Sequence, residues 1–160
     1  MSGMSKIVKT ISATILPFIT IYGLYIIAHG HLTPGGGFQG GAIVASGFAM
    51  IVVAFGSIWT MEKIKEKHLS ILESLGAIGF IGLAFFGLLF GAKMFFANFL
   101  VKQDVIPFFN QIGQGLSNIN TAGLLPLMNL AVGLKVIAGL FAIVLVMAYA
   151  TSKIKEGTAK

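Results

Sequence analysis

Apolar residues fall into four long stretches separated by short polar connections. The first covers about residues 11–28, the second about 42–61, the third about 71–100 with a charge-free core over 74–92, and the fourth about 124–150. At 1.5 Å per residue even the shortest reaches ~27 Å, close to the ~30 Å hydrocarbon core of a bilayer. The pattern predicts an all-α, integral membrane four-helix bundle that fills residues 1–160 as one membrane domain. Pro17 should kink the first helix and free a carbonyl, with Thr20 and Ser12 as local groups to take up the loose backbone. The third stretch exceeds a perpendicular crossing and must tilt, protrude or kink. Between the third and fourth, Val105, Phe108, Phe109, Ile112, Leu116 and Ile119 recur at three- and four-residue intervals, with Pro107 near a helix start. That spacing predicts an amphipathic helix whose other face (Asn110, Gln111, Gln114, Ser117, Asn118) is polar and uncharged. It suits packing across the mouth of the bundle or against another subunit better than binding anionic lipid.

Composition sharpens this picture. The chain is 56% apolar and only 10% charged, so it has no room for a soluble domain, a cofactor fold or a catalytic cleft. The absence of Cys excludes thiolate-bound iron–sulfur clusters, Cys-type zinc and thiol catalysis. No cofactor is expected, and any redox chemistry belongs to a partner. The +6 charge does not argue for nucleic acid, because every basic residue is Lys and nearly all lie just outside the apolar stretches. Lys6 and Lys9 imitate a secretory signal, yet three further spans follow. Lys6, Lys9, Lys63, Lys65, Lys67, Lys153, Lys155 and Lys160 fall on one face of a four-crossing topology, against Lys102 alone on the other. The positive-inside rule then puts both termini in the cytoplasm of a multi-pass protein in the cell membrane.

Candidate chemistry concentrates in few places. Gly35, Gly37 and Gly40 match G-x-G-x-x-G, but a dinucleotide site needs a preceding strand, a βαβ unit and an acidic residue about twenty positions on. Between membrane helices the glycines supply a tight turn instead. That Gly-rich loop is either on the surface or part of a hydrated pathway, with Gln39 as its polar handle and Phe38 as its packing wedge. His29 and His31 flank Gly30 without the acidic or thiol neighbours that a metal set requires, so no metal is expected. They suit hydrogen bonding to loop carbonyls or proton handling at a hydrated mouth.

Lys135 lies about eleven residues into the fourth span, where an unpaired charge costs at least ~2.5–3.5 kcal/mol. It needs a hydrated cavity, polar groups such as Asn129, or an acid on another subunit. Lys93 is shallower and can snorkel outward. Glu73, at the start of the third span, suits the positive end of that helix's dipole. Gly76, Gly79 and Gly82, and the pair Gly87 and Gly91, permit close helix packing.

The run His29 to Gly41, H-G-H-L-T-P-G-G-G-F-Q-G-G, closely resembles the signature of the MnhB/MrpB family, with Pro34, Gly35, Gly36, Gly37, Phe38, Gly40 and Gly41 as its core. The likeness extends over about residues 7–150. It implies a small, non-catalytic membrane subunit of a multisubunit Mrp-type cation/proton (Na+/H+) antiporter module, of the kind also found in the membrane arms of archaeal membrane-bound hydrogenases and sulfur-reducing relatives. Implied partners are other antiporter subunits, hydrogenase or other redox subunits, and membrane lipid, with no nucleic acid. Bacterial antiporter members tend to open the fourth helix on a pattern like F-D-x-G-V. This chain has Leu127-Met128-Asn129-Leu130-Ala131-Val132, with Asn129 where the acid falls and Lys135 in addition, which favours the archaeal branch.

The expectation is therefore a subunit that helps to form or support an ion path while larger subunits pump. The ion-path candidates are Lys135, Lys93, His29, His31, Gln39, Asn129 and Glu73, and no residue is catalytic. The rivals are a self-contained homo-oligomeric four-helix transporter or channel and a purely structural scaffold.

Overall fold

A computed structural model describes residues 4–32, 36–89, 94–96 and 123–158. These form five helices: α1 (Lys6–His29), α2 (Gly36–Phe55), α3 (Ser57–Lys63), α4 (Glu66–Leu89) and α5 (Leu125–Thr158). Four of them, all but α3, are long and apolar enough to cross a membrane. The protein is a multi-pass membrane protein. The expected amphipathic helix over about 102–123 lies outside the described residues.

The helices pack in the spatial order α1, α2, α5, α4. α2 lies between α1 and α5, and α4 packs chiefly on α5. The result is a row with α5 near its centre, more open than a closed four-helix ring. Each helix therefore keeps an apolar face outside, as a bilayer permits: on α1, Phe18 is 69% and Ile21 67% exposed. The buried core joins Ala45 and Val52 of α2, Leu69 of α4, and Phe141 and Leu145 of α5, with the Phe48 and Phe141 rings 5.3 Å apart.

Helix ends depart from the hydropathy pattern in instructive ways. α1 begins at Lys6, where the Ser5 hydroxyl accepts from Val8 N–H. Pro17 lies inside α1, but the Thr20 hydroxyl donates to Leu16 O, and the carbonyl that Pro17 leaves free is that of Ala13. The second span, expected to run to about Met61, ends at Phe55, because Gly56 adopts φ +95° and α3 starts a new direction. α3 is fastened by Ser57, which donates to the Ser152 hydroxyl at 3.1 Å. Of the third span, expected to continue towards residue 100, the described helix runs to Leu89 and residues 94–96 are non-helical. Phe96 N–H donates back to Ala84 O, while the Phe95 ring meets Phe85 and the Phe96 ring meets Phe80. Phenylalanines on both sides of this reversal keep the sequence apolar, so hydropathy alone cannot register it.

The largest correction concerns the glycine run. Gly36 to Gly41, expected in a loop between the first two spans, belong to α2. Gly36 opens that helix with φ +57°, a conformation that costs residues with a Cβ but not glycine. Gly37, Gly40 and Gly41 lie on the packed side of the same helix, where neighbouring atoms come too close for any larger residue, as follows.

Candidate functional site

At the end of the row opposite the Lys-rich termini, α1, α2 and α5 meet at backbone distance. A methyl group on Gly40 would lie 2.6 Å from Gly23 O, and one on Gly23 would strike the Val44 side chain. On the other side of α2, a methyl on Gly37 would strike Asn129 O and one on Gly41 would lie 3.0 Å from Gly133 O. A methyl on Gly133 in turn would be 2.7 Å from Ile27 Cδ1. All these glycines are filled spaces, and such approach is how small residues lock membrane helices together.

Asn129 closes this junction. Its Oδ1 would be 3.0 Å from a methyl on Gly36 and its Nδ2 3.1 Å from one on Gly30, so its amide wedges where α1 gives way to α2. His29 stacks on Tyr25 at 5.3 Å between ring centroids, and His31 is 6.4 Å from His29. The histidines and Asn129 thus lie at the same end of the row, beside the glycine-packed junction of α1, α2 and α5. Among the described residues no group of three or more His, Asp and Glu side chains is placed to hold a metal. Gln39 is exposed on α2, and Phe38 is 60% exposed, so the aromatic ring expected as a packing wedge is not wedged among the described residues. Pro34, Gly35, Gly91 and Lys93 lie outside the described residues.

The second constellation is the α4–α5 seam. Gly76 sits directly on α5: a methyl there would be 2.7 Å from Lys135 N and 2.8 Å from Ala131 O. One turn further along, the Glu73 carboxylate faces Gly139, its Oε1 3.5 Å from where a methyl would stand. Lys135 is exposed and Glu73 half-buried. Lys135 therefore projects from the outside of the bundle, ten residues or ~15 Å into α5. Asn129 precedes it by six residues, roughly 240° round the helix, and serves the glycine junction instead. The expectation that Asn129 would be a polar partner for Lys135 is corrected by that rotation.

Glu73 is also deeper than the sequence suggested. α4 begins at Glu66, whose carboxylate occupies the first turn and suits the helix dipole. Glu73 is consequently two turns inside, ~10 Å along the helix, and on the same seam as Lys135. The charges at Lys65, Glu66, Lys67 and His68 hide the helix start from a hydropathy reading, although Leu69 is 7% exposed and belongs to the core. Gly87 is buried on the same helix, whereas among the described residues Gly79 meets only Ala131 Cβ at 3.7 Å and Gly82 has nothing within 4 Å.

Comparisons with known proteins agree with this architecture. The profile of a family described as a domain related to the MnhB subunit of Na+/H+ antiporter matches residues 7–152. An uncharacterized protein of Methanocaldococcus jannaschii is 39% identical over 139 residues, covering 85% of this chain and 49% of that protein. A putative antiporter subunit mnhB2 of Staphylococcus aureus is 31% identical over 72 residues, 45% of this chain and 50% of that subunit. The chain thus spans about half the length of the curated relatives it matches. Among solved structures, a chain of the membrane-bound sulfane sulfur reductase, an archaeal respiratory membrane complex, superposes with a TM-score of 0.69 at 30% identity, covering 92% of this chain and 61% of that one. Four apolar helices with a glycine-locked junction, matched by this profile over nearly their whole extent, place the chain in the MnhB family of antiporter subunits.

Proposed function

We propose that this chain is a non-catalytic subunit of a multisubunit Mrp-type Na+/H+ antiporter module within an archaeal energy-converting membrane complex, of sulfur-reducing or hydrogenase type. It supports the ion path rather than enclosing it. The observation that carries this reading is the position of Lys135. Its charge lies at membrane depth but on the outer surface of the helix row, so its electrostatic effect is directed at whatever packs beside α4 and α5. A self-contained channel would direct its charges into its own interior.

Glu73 on the adjacent turn adds a second ionisable group to that surface. The histidines and Asn129 form the opposite, hydrated mouth. Both termini lie on the cytoplasmic side in this reading. Supporting that, Met4, Gly56, Ser57, Ser152 and Lys155 line one groove, so the start of α1 and the end of α5 share the end of the row that carries most of the lysines. The test is Lys135→Met in the native host. Coupled cation/proton transport should fall while the assembled complex is recovered in normal amount; transport at the wild-type level in assembled complex would overturn the assignment.

A further inference from the structure

An open apolar groove of about 410 Å³ runs along one flank of the α4–α5 seam, lined by Gly76, Gly79, Gly82 and Phe86 on one side and Leu130 and Leu134 on the other, among others. Two independent observations bear on what fills it. The first is a contrast among the glycines: Gly23, Gly37, Gly40, Gly41, Gly76 and Gly133 each have a neighbour of this same chain pressed against them, while among the described residues Gly82 has nothing within 4 Å and Gly79 only a methyl at ordinary contact distance. Space cleared to backbone depth next to bulky Leu and Phe walls matches the ridge of a helix better than a loosely packed acyl chain, since membrane helices associate through such close approach.

The second is charge. Gly76 both lines the groove and rests on the backbone of Lys135, so the lysine stands at the groove's end, at membrane depth and exposed. Helical side chains lean towards their own N-terminus, which for α5 is the direction in which the groove extends. A helix lying in the groove therefore passes the ammonium group and desolvates it further; Glu73 of this chain faces Gly139, one turn away and partly buried in the seam, so the cost is best offset by an opposite charge on the arriving helix.

We propose that the α4–α5 groove is the docking surface for a transmembrane helix of a different subunit, one that carries an Asp or Glu at the depth of Lys135. The apolar groove supplies the affinity and the Lys–carboxylate contact sets depth and register. This rests on the reading of the chain as one subunit among several. On this basis Lys135→Met is expected to leave the complex assembled, because the groove remains and the partner's carboxyl can take a proton.

The chain has no Cys, so Leu130→Cys, at an exposed wall of the groove, introduces its only thiol. The tagged variant in native membranes is labelled with a benzophenone maleimide, irradiated, digested and read by mass spectrometry. The expected product joins Cys at 130 to a membrane-spanning segment of another subunit with an Asp or Glu within about two turns of the cross-linked residue. In a second arm, Lys135→Glu sets two carboxylates face to face and should lower recovery of that subunit with the tagged chain ~10-fold, with recovery restored by changing the partner's carboxylate to Lys. Cross-links only to lipid, to a second copy, to the same chain or to a helix without a carboxylate would overturn the proposal. So would unchanged recovery with Lys135→Glu, or restoration by Glu73→Lys within this chain. If the wild-type chain still co-purifies with antiporter subunits under any of these outcomes, only the docking assignment falls. If it purifies alone, the functional reading falls and the docking assignment with it.

Discussion

The two glycine clusters differ in one respect, and it separates two kinds of helix contact. At the α1–α2–α5 junction the missing side chains are replaced by this chain's own backbone: Gly40 on Gly23, Gly37 on Asn129, Gly41 on Gly133. Along the outer half of the α4–α5 seam, Gly79 and Gly82 have open space beside them among the described residues. The same residue type therefore closes the fold in one place and leaves a surface for another molecule in the other. Charge follows the division, because Asn129 at the closed junction is a neutral amide among backbone groups, while Lys135 stands on the open side.

The contrast breaks most visibly with leucine. Gly37→Leu forces a branched side chain into the backbone of α5 and should remove most folded chain from the membrane, whereas the double change Gly79→Leu with Gly82→Leu should leave the chain folded and strip it of its partner subunits. Detergent extraction with size-exclusion profiles distinguishes the two results; equal loss of folded chain in both would erase the distinction. Next in size, Lys135→Met should reduce coupled transport by roughly tenfold, equivalent to about 1.4 kcal/mol of barrier, with subunit composition unchanged. Smaller still, Asn129→Ala opens a gap beneath Gly30 and Gly36 and should cost about 1–2 kcal/mol, seen as a lower midpoint in thermal unfolding of the extracted chain. Smallest, Gly82→Ala meets no neighbour and should change that midpoint by no more than about 0.5 kcal/mol equivalent, while Gly37→Ala at the filled junction should cost about 1–3 kcal/mol.

Much of this architecture was legible in the sequence. Four spans follow from apolar runs long enough to cross a bilayer, and the resemblance carried by Pro34 to Gly41 led to the family that the profile match over residues 7–152 identifies. What escaped has a common cause: local composition does not report who the neighbours are. Six residues containing four glycines read as a loop, yet they are helical, and the glycines are there because α1 and α5 come within contact of their backbone. The reversal at Phe96 is invisible because the chain is equally apolar on both sides of it. Lys135 and Glu73 were each recognised as charges in spans, but their adjacency across the α4–α5 seam depends on helix register, which Gly76 and Gly139 set and which hydropathy does not encode. The direction of Asn129, away from Lys135, is likewise a matter of rotation about α5.

The central claim is that this chain works only as part of a larger membrane assembly, with its open seam towards a partner. The most direct measurement is gentle detergent extraction of the tagged chain from its native membranes, followed by mass spectrometry of everything recovered at stoichiometric level. The account predicts that large antiporter-like subunits come with it, and that a sulfur-reducing, hydrogenase or other redox subunit among them names the driving reaction. Recovery of the chain alone, as a homo-oligomer, would contradict the account and make a self-contained transporter the working description.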